Sequence, residues 1–200
     1  QLKVLPKTKL YMELLLDDVT SSKLGTGFYG NKYAILTGGH HVDLFGVSGL
    51  DLRGEYTRIR PHTYTHDTIN NFQHFITNLG HRLGPNSEDL FVQLEYRYNR
   101  PLLLKAAWER TRHGANPAGI NVGGSLYESR NDSGDPEYVD ILDGNLETGN
   151  SVFLLAGYEF IRNGFVQFYF RHDISTWEAS AEPNYPGQRN EFGIRVGLNE

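Results

Sequence analysis

Four histidines fall within one short span, His62, His66, His74 and His81, and the segment "HTYTH" sets the first two four residues apart. A spacing of four brings two imidazoles onto one metal only where the chain is helical, and a metal site needs three or four converging ligands. Pro61 directly before His62 favours an extended entry instead, so these histidines read as solvated loop residues. A second oxygen-rich stretch, "NDSGDPEYVD", carries Asp132, Asp135, Glu137 and Asp140 around a glycine. Calcium favours such loops, but the spacing is not that of an EF-hand, and an acidic loop without metal is the expectation, with calcium at residues 131–140 left open.

Carboxylate pairs such as Glu95 with Glu109 have the residue types of general acid and base. No G-x-S-x-G, P-loop or H-E-x-x-H accompanies them, and carboxylates along a salt-bridged wall explain them without catalysis. We therefore expect no enzyme, no cofactor and no bound metal. What remains is a set of aromatic and guanidinium side chains suited to sugar rings and acidic sugar carboxylates. The candidate glycan-binding residues are Arg58, Arg60, Tyr64, Arg112, Tyr127 and Trp177.

These residues need elements to hold them, and the chain has 200 residues, enough for one domain spanning 1–200. Aromatics at 12% and 22 glycines suit β-structure with many turns. Cysteine is absent, so there is no disulfide framework or thiolate chemistry. The formal charge of -5, with scattered basic residues, argues against a nucleic-acid partner. No apolar run approaches the roughly 18 residues of a membrane helix, but strands of a transmembrane barrel need only about ten alternating residues.

Period-two alternation predicts eight strands, at roughly 9–17, 31–42, 49–60, 89–98, 102–111, 151–161, 164–174 and 190–198. Each has an apolar face, such as Leu10, Met12, Leu14 and Leu16 in the first and Phe192, Ile194, Val196 and Leu198 in the last. The opposite faces carry Glu13, Asp17, Asp51, Arg53, Glu55, Glu95, Arg97, Lys105, Glu109, Glu159, Arg171 and Arg195. A soluble barrel and a membrane barrel share this pattern with opposite sidedness. Connection lengths discriminate between them: roughly 13, 6, 28, 3, 39, 2 and 15 residues, long and short in turn, as when one rim carries outer loops and the other periplasmic turns. Tyr56, Tyr96, Tyr98, Trp108, Tyr158, Phe160 and Phe170 fall near the ends of apolar faces, where an interfacial girdle would stand. The expectation is an all-β, antiparallel transmembrane β-barrel whose apolar face meets lipid and whose charged residues line the lumen.

Three stretches add a resemblance. "YMELLLDDV" at Tyr11 to Val19, "NKYAILTGGHHVDLFGVSGLDLRGEYTRIRPHTYTH" at Asn31 to His66 and "NLGHRLGPNSEDL" at Asn78 to Leu90 resemble the Wzi-type capsule assembly family of bacterial outer-membrane proteins, especially members from Bacteroidetes-like bacteria. The likeness covers roughly the first 95 residues. It implies a barrel of 18 strands behind a periplasmic helical portion, used to attach or organise surface polysaccharide, of which these eight strands would be a C-terminal section. The helical portion and the terminal aromatic usual in such barrels are missing, so the chain is expected to be incomplete at one end or the other. No secretion signal is visible at Gln1.

The resulting expectation is a non-catalytic protein of the bacterial outer membrane that binds or positions extracellular polysaccharide through its outer loops. The alternatives are a structural subunit of an outer-membrane gliding or secretion assembly, partnered by other outer-membrane proteins, and a passive porin-like channel. Arg58 and Arg60, at the exit of the third strand, are expected to pair with Asp17 or Asp18 or with a ligand carboxylate.

Overall fold

The computed structural model describes residues 2–66, 71–75, 77–99, 101–175 and 187–198. It is all-β. Nine strands form one antiparallel sheet in the order β1 (Leu2–Leu5), β2 (Thr8–Asp18), β3 (Lys32–His41), β4 (Leu50–Ile59), β7 (Ser87–Tyr98), β8 (Leu102–Ala115), β9 (Asn145–Ile161), β10 (Gly164–Ser175) and β11 (Gln188–Leu198). A separate two-stranded ribbon, β5 (Gln73–His74) with β6 (Thr77–Asn78), lies within the connection from β4 to β7. The eight long strands coincide with the eight read from period two, and the four-residue β1 was not among them. The sheet is open: β2 and β11 are not paired with each other.

The long connections 19–31, 60–86 and 116–144 join strand ends at one rim, where β10 also ends and β11 begins, and the short ones, 42–49, 99–101 and 162–163, join strand ends at the other. The short turns use left-handed residues, Asn99 at φ 51° and Asn163 at φ 64°, which asparagine tolerates better than most side chains. Strands β8 and β9 run on past the apolar alternation, still paired at His113 with Glu147 and at Ala115 with Asn145. Backbone hydrogen bonds need no apolar side chain, so this extension shortens the expected loop of roughly 39 residues to 116–144.

Following the ladders from strand to strand sorts side chains onto two faces. One is apolar and exposed: Met12 is 67% accessible, Phe192 76% and Ile194 67%. The other is charged and more sheltered: the Glu55 side chain is 18% accessible and that of Asp89 9%. This inverts the distribution of a soluble sheet, which hides its apolar side.

The apolar band crosses the sheet obliquely. Phe192, where it begins on β11, is level through successive partners Phe170, Leu154, Ala106, Leu94, Leu52 and His41 with Thr8 on β2. On β2, however, the corresponding boundary is Leu16, eight residues beyond Thr8. The other boundary slides equally: Leu10 on β2 is level with Asn190 on β11 through Gly39, Gly54, Val92, Trp108, Val152 and His172, while the band on β11 ends at Leu198.

Among the described residues, packing of the usual kind is found at the long-loop rim. There Ala34 and Ile59, on the charged side of the sheet, meet Tyr64 and Leu126 from two loops, with Leu15 beside them.

Candidate functional site

The charged face is built from neighbours of opposite sign, some across strands and some two residues apart on one strand. Lys105 Nζ lies 3.0 Å from Glu95, and Arg97 3.8 Å from the same carboxylate. Arg53 pairs with Glu55 at 2.7 Å and Arg171 with Asp173 at 2.9 Å. Arg82 descends from the loop after β4 to reach Asp89 at 2.8 Å and Glu109 at 2.6 Å. Glu95 and Glu109, the pair considered for acid–base chemistry, thus each carry a cationic partner. Tyr11 donates to Glu55 two strands away because Gly38 on β3 leaves its ring a seat: a Cβ there would stand 2.7 Å from the ring. A cavity of about 540 Å³ on this face is lined by Tyr11, Glu13, His40, Asp51, Arg53 and Glu95, among others. A second of about 350 Å³, nearer the short turns, holds Arg97, Glu159 and Arg195. Of the twelve residues expected to share the charged side, eleven lie there within these pairs and cavities. Asp17 sits at the rim, where His66 Nε2 lies 2.8 Å from one carboxylate oxygen and the Tyr64 N–H donates to the other at 3.0 Å.

The described parts of loops 19–31, 60–86 and 116–144 fold against one another over this face. Arg60 is 6% exposed and donates to backbone carbonyls of Asn31 (3.4 Å), Phe28 (3.5 Å) and Val139 (3.3 Å), tying two loops to the end of β4. Asn86, fully buried, gives its side-chain amide to Gly114 O at 2.8 Å and Asp143 O at 2.9 Å, and accepts from Leu142 N at 2.7 Å. His62 is buried with Nε2 unpartnered, its pKa pulled down to about 4 by burial first and then by Lys32 and Arg130. Its φ of 61° and that of Tyr64, 73°, put both in the left-handed region, held there by the surrounding packing. Arg60 and Tyr64 are therefore scaffold of the rim rather than ligand contacts, because neither presents surface to a glycan.

The acidic loop is also internally satisfied. Asp135 accepts from Asn121 N at 2.7 Å and Asn131 N at 2.6 Å, and Glu137 pairs with Lys23 at 2.7 Å. Burial alone would raise Asp135, but these backbone donors and the nearby Arg130 hold its carboxyl below the ordinary carboxylate range. Among the described residues no three histidine or carboxylate side chains converge as a metal site would require.

Between these loops opens a cleft of about 490 Å³, lined by Asn78, Arg82, Asn116, Tyr127, Glu128 and His113 among others. Tyr127 is 58% exposed, and amide, guanidinium and carboxylate groups surround it. An exposed ring flanked by planar hydrogen-bonding groups suits a sugar, whose faces are apolar and whose rim is hydroxylated. Of the six glycan candidates only Tyr127 lies here, and Trp177 falls outside the described residues. Arg82, Asn78 and Asn116 were missed by sequence reading, although Arg82 and Asn86 stand in the "GHRLGPN" stretch.

Arg58 and Arg112 lie elsewhere, on the apolar face. Arg58 is 3.7 Å from Glu88, which also binds Arg112 and accepts from the Tyr56 hydroxyl at 2.8 Å. This corrects the expected pairing of Arg58 with Asp17 or Asp18: Arg58 and Asp17 project from opposite faces, and the register sets Arg58 against Glu88. No family model, no curated protein and no solved structure matches the chain.

Proposed function

We propose that this chain is a section of an outer-membrane β-barrel that holds extracellular polysaccharide, without catalysis, in the cleft at its long-loop rim. The observation that carries the reading is the oblique apolar band. It slides eight residues, from Thr8 to Leu16, across the seven steps from β2 to β11. At about 3.4 Å per residue and 4.8 Å per strand, that is a slope of about 40° to the perpendicular of the strands. Strands tilted by roughly 35–45° through a level apolar slab produce this slope, and they are how barrels cross a bilayer. The exposed apolar face then meets lipid, and the ion-paired face meets the interior.

An open sheet cannot stand in hydrocarbon, because its edge N–H and C=O groups would lack partners. The reading therefore requires the edge of β2 beyond its short pairing with β1, and the edge of β11, to be paired in the membrane, by further strands or by each other. The similarity to the Wzi-type capsule family, a likeness of motifs, supports the first arrangement and a polysaccharide ligand. Paired charges and loops folded over the rim count against an open channel. The test is binding of surface polysaccharide from the producing cell to the protein purified in detergent, with Tyr127→Ala as control. Binding that depends on Tyr127 supports the proposal; equal binding by the variant, or none by either, refutes the glycan role.

A further inference from the structure

Among the described residues of strands β3 to β11, the apolar face carries charge at one place. Across the described strands from β3 to β11, its ionised side chains are Arg58, Glu88, Arg110 and Arg112, on the adjacent strands β4, β7 and β8. Arg58, Glu88 and Arg112 form one row of the ladder, and Arg110 stands in the next, level with Leu90 and Tyr56. Trp108 follows immediately on the same face of β8. Glu88 is nearly buried and organises its neighbours, while the Arg58 and Arg112 side chains remain 44% and 41% accessible. Arg110 is exposed and has no ion-pair partner among the described residues. Among the described residues, three guanidinium groups against one carboxylate leave an excess of two positive charges at the long-loop boundary of the apolar band.

We propose that this cluster binds the phosphorylated headgroup of a lipid in the outward-facing leaflet, an inference that rests on the membrane reading above. The occupant follows from position and charge. The side chains point out from the barrel wall, away from the rim cleft, so a glycan held in the cleft does not reach them. They stand where the apolar band gives way to polar residues, the level at which lipid headgroups lie, beside the ring of Trp108 and the hydroxyl of Tyr56. Guanidinium forks match phosphate oxygens in bidentate geometry, and the flanking Asn150 adds an amide on the same face. Glu88 spaces Arg58 from Arg112 and limits their mutual repulsion before lipid binds.

The test uses the full protein extracted from membranes, first checked for a heat-dependent shift in gel mobility. Retained lipid is then counted by native mass spectrometry during titration with bisphosphorylated lipid A, its dephosphorylated counterpart, and inorganic pyrophosphate as competitor. The proposal expects at least about tenfold tighter retention of the phosphorylated lipid, an about threefold loss in Arg110→Gln, and loss of the preference when Arg58→Gln, Arg110→Gln, Arg112→Gln and Glu88→Gln are combined. Arg110→Gln breaks no ion pair among the described residues, so it keeps the test decisive if the combined variant does not insert. Equal retention of both lipids, an unchanged Arg110→Gln protein, or full competition by pyrophosphate at equal concentration would overturn it. A heat-modifiable protein with no preference removes this inference alone, whereas a soluble protein with no mobility shift removes the membrane reading with it.

Discussion

Leu10 and Asn190 lie on one row of the sheet, yet Leu10 opens the apolar band on β2 and Asn190 stands outside its opposite boundary on β11. A slab of fixed thickness crossed by tilted strands requires this offset. Residues in the middle of the band should therefore resist charge according to depth rather than sheet position. Ile194→Arg is expected to cost about 2–4 kcal/mol in unfolding from lipid vesicles, and Asn190→Arg at most about 1 kcal/mol. Equal costs in urea titrations would contradict the slab.

The Tyr11 to Glu55 hydrogen bond across Gly38 gives a second expectation. Gly38→Val places side-chain carbon in the seat of the Tyr11 ring, so the ring must leave and the bond is lost. The cost should be about 1–3 kcal/mol, with Tyr11→Phe nearer 1. In a double-mutant cycle Gly38→Val should add little once Tyr11 is Ala, and full additivity would show that the two positions are not coupled.

Arg60→Met removes a guanidinium that three buried carbonyls share. Replacing the charge by an apolar side chain takes the Arg60 donor from the Asn31 and Val139 carbonyls, while the Phe28 carbonyl keeps the Asn31 N–H, a loss of roughly 2–4 kcal/mol concentrated in the rim. Limited proteolysis should cut the 19–31 and 116–144 loops of the variant at least tenfold faster, while strands stay protected. Unchanged cleavage would mean that Arg60 does not hold the loops.

His62 makes the rim sensitive to acid. Its folded pKa, about 4, lies below the ordinary histidine value, so the unfolded loop binds a proton first as pH falls. Stability is fully present above about pH 6.5 and is lost on the way down to about pH 4, on the order of 3 kcal/mol in all. His62→Asn keeps a side chain that tolerates the left-handed backbone and removes the titration. Between pH 7.5 and 4.5 the wild-type melting temperature should fall further than that of the variant; parallel decreases would exclude His62 as the cause.

Much of this architecture was legible in the chain because β-structure writes its sidedness with period two. Leu10 to Leu16 and Phe192 to Leu198 declare their faces without any knowledge of their neighbours. Register is different, since it belongs to pairs of strands: nothing local to Arg58 says that Glu88, thirty residues on, is its partner rather than Asp17. The rim was the least legible part. A buried Arg60 or Asn86 that satisfies backbone carbonyls has the same sequence appearance as a solvated one, and so has Tyr64, a ligand candidate by residue type that is buried among the loops. The cleft shared this obscurity, because Arg82, Asn78, Asn116 and Tyr127 converge only after two distant loops have folded together.

The most direct test uses the absence of cysteine from the chain, which makes every introduced thiol unique. Thr8 is level with Phe192, two residues from Asn190, yet strands tilted through the bilayer put Thr8 and Asn190 on opposite sides of the membrane in the proposed arrangement. Single-cysteine variants at Thr8, Leu14, Ile194 and Asn190 would be treated in intact cells with a membrane-impermeant maleimide, then again after the outer membrane is opened. Labelling of Asn190→Cys in intact cells, of Thr8→Cys only after opening, and of neither mid-band position is the predicted result. Thr8→Cys and Asn190→Cys labelling alike in intact cells, or free labelling at Leu14 and Ile194, would contradict it.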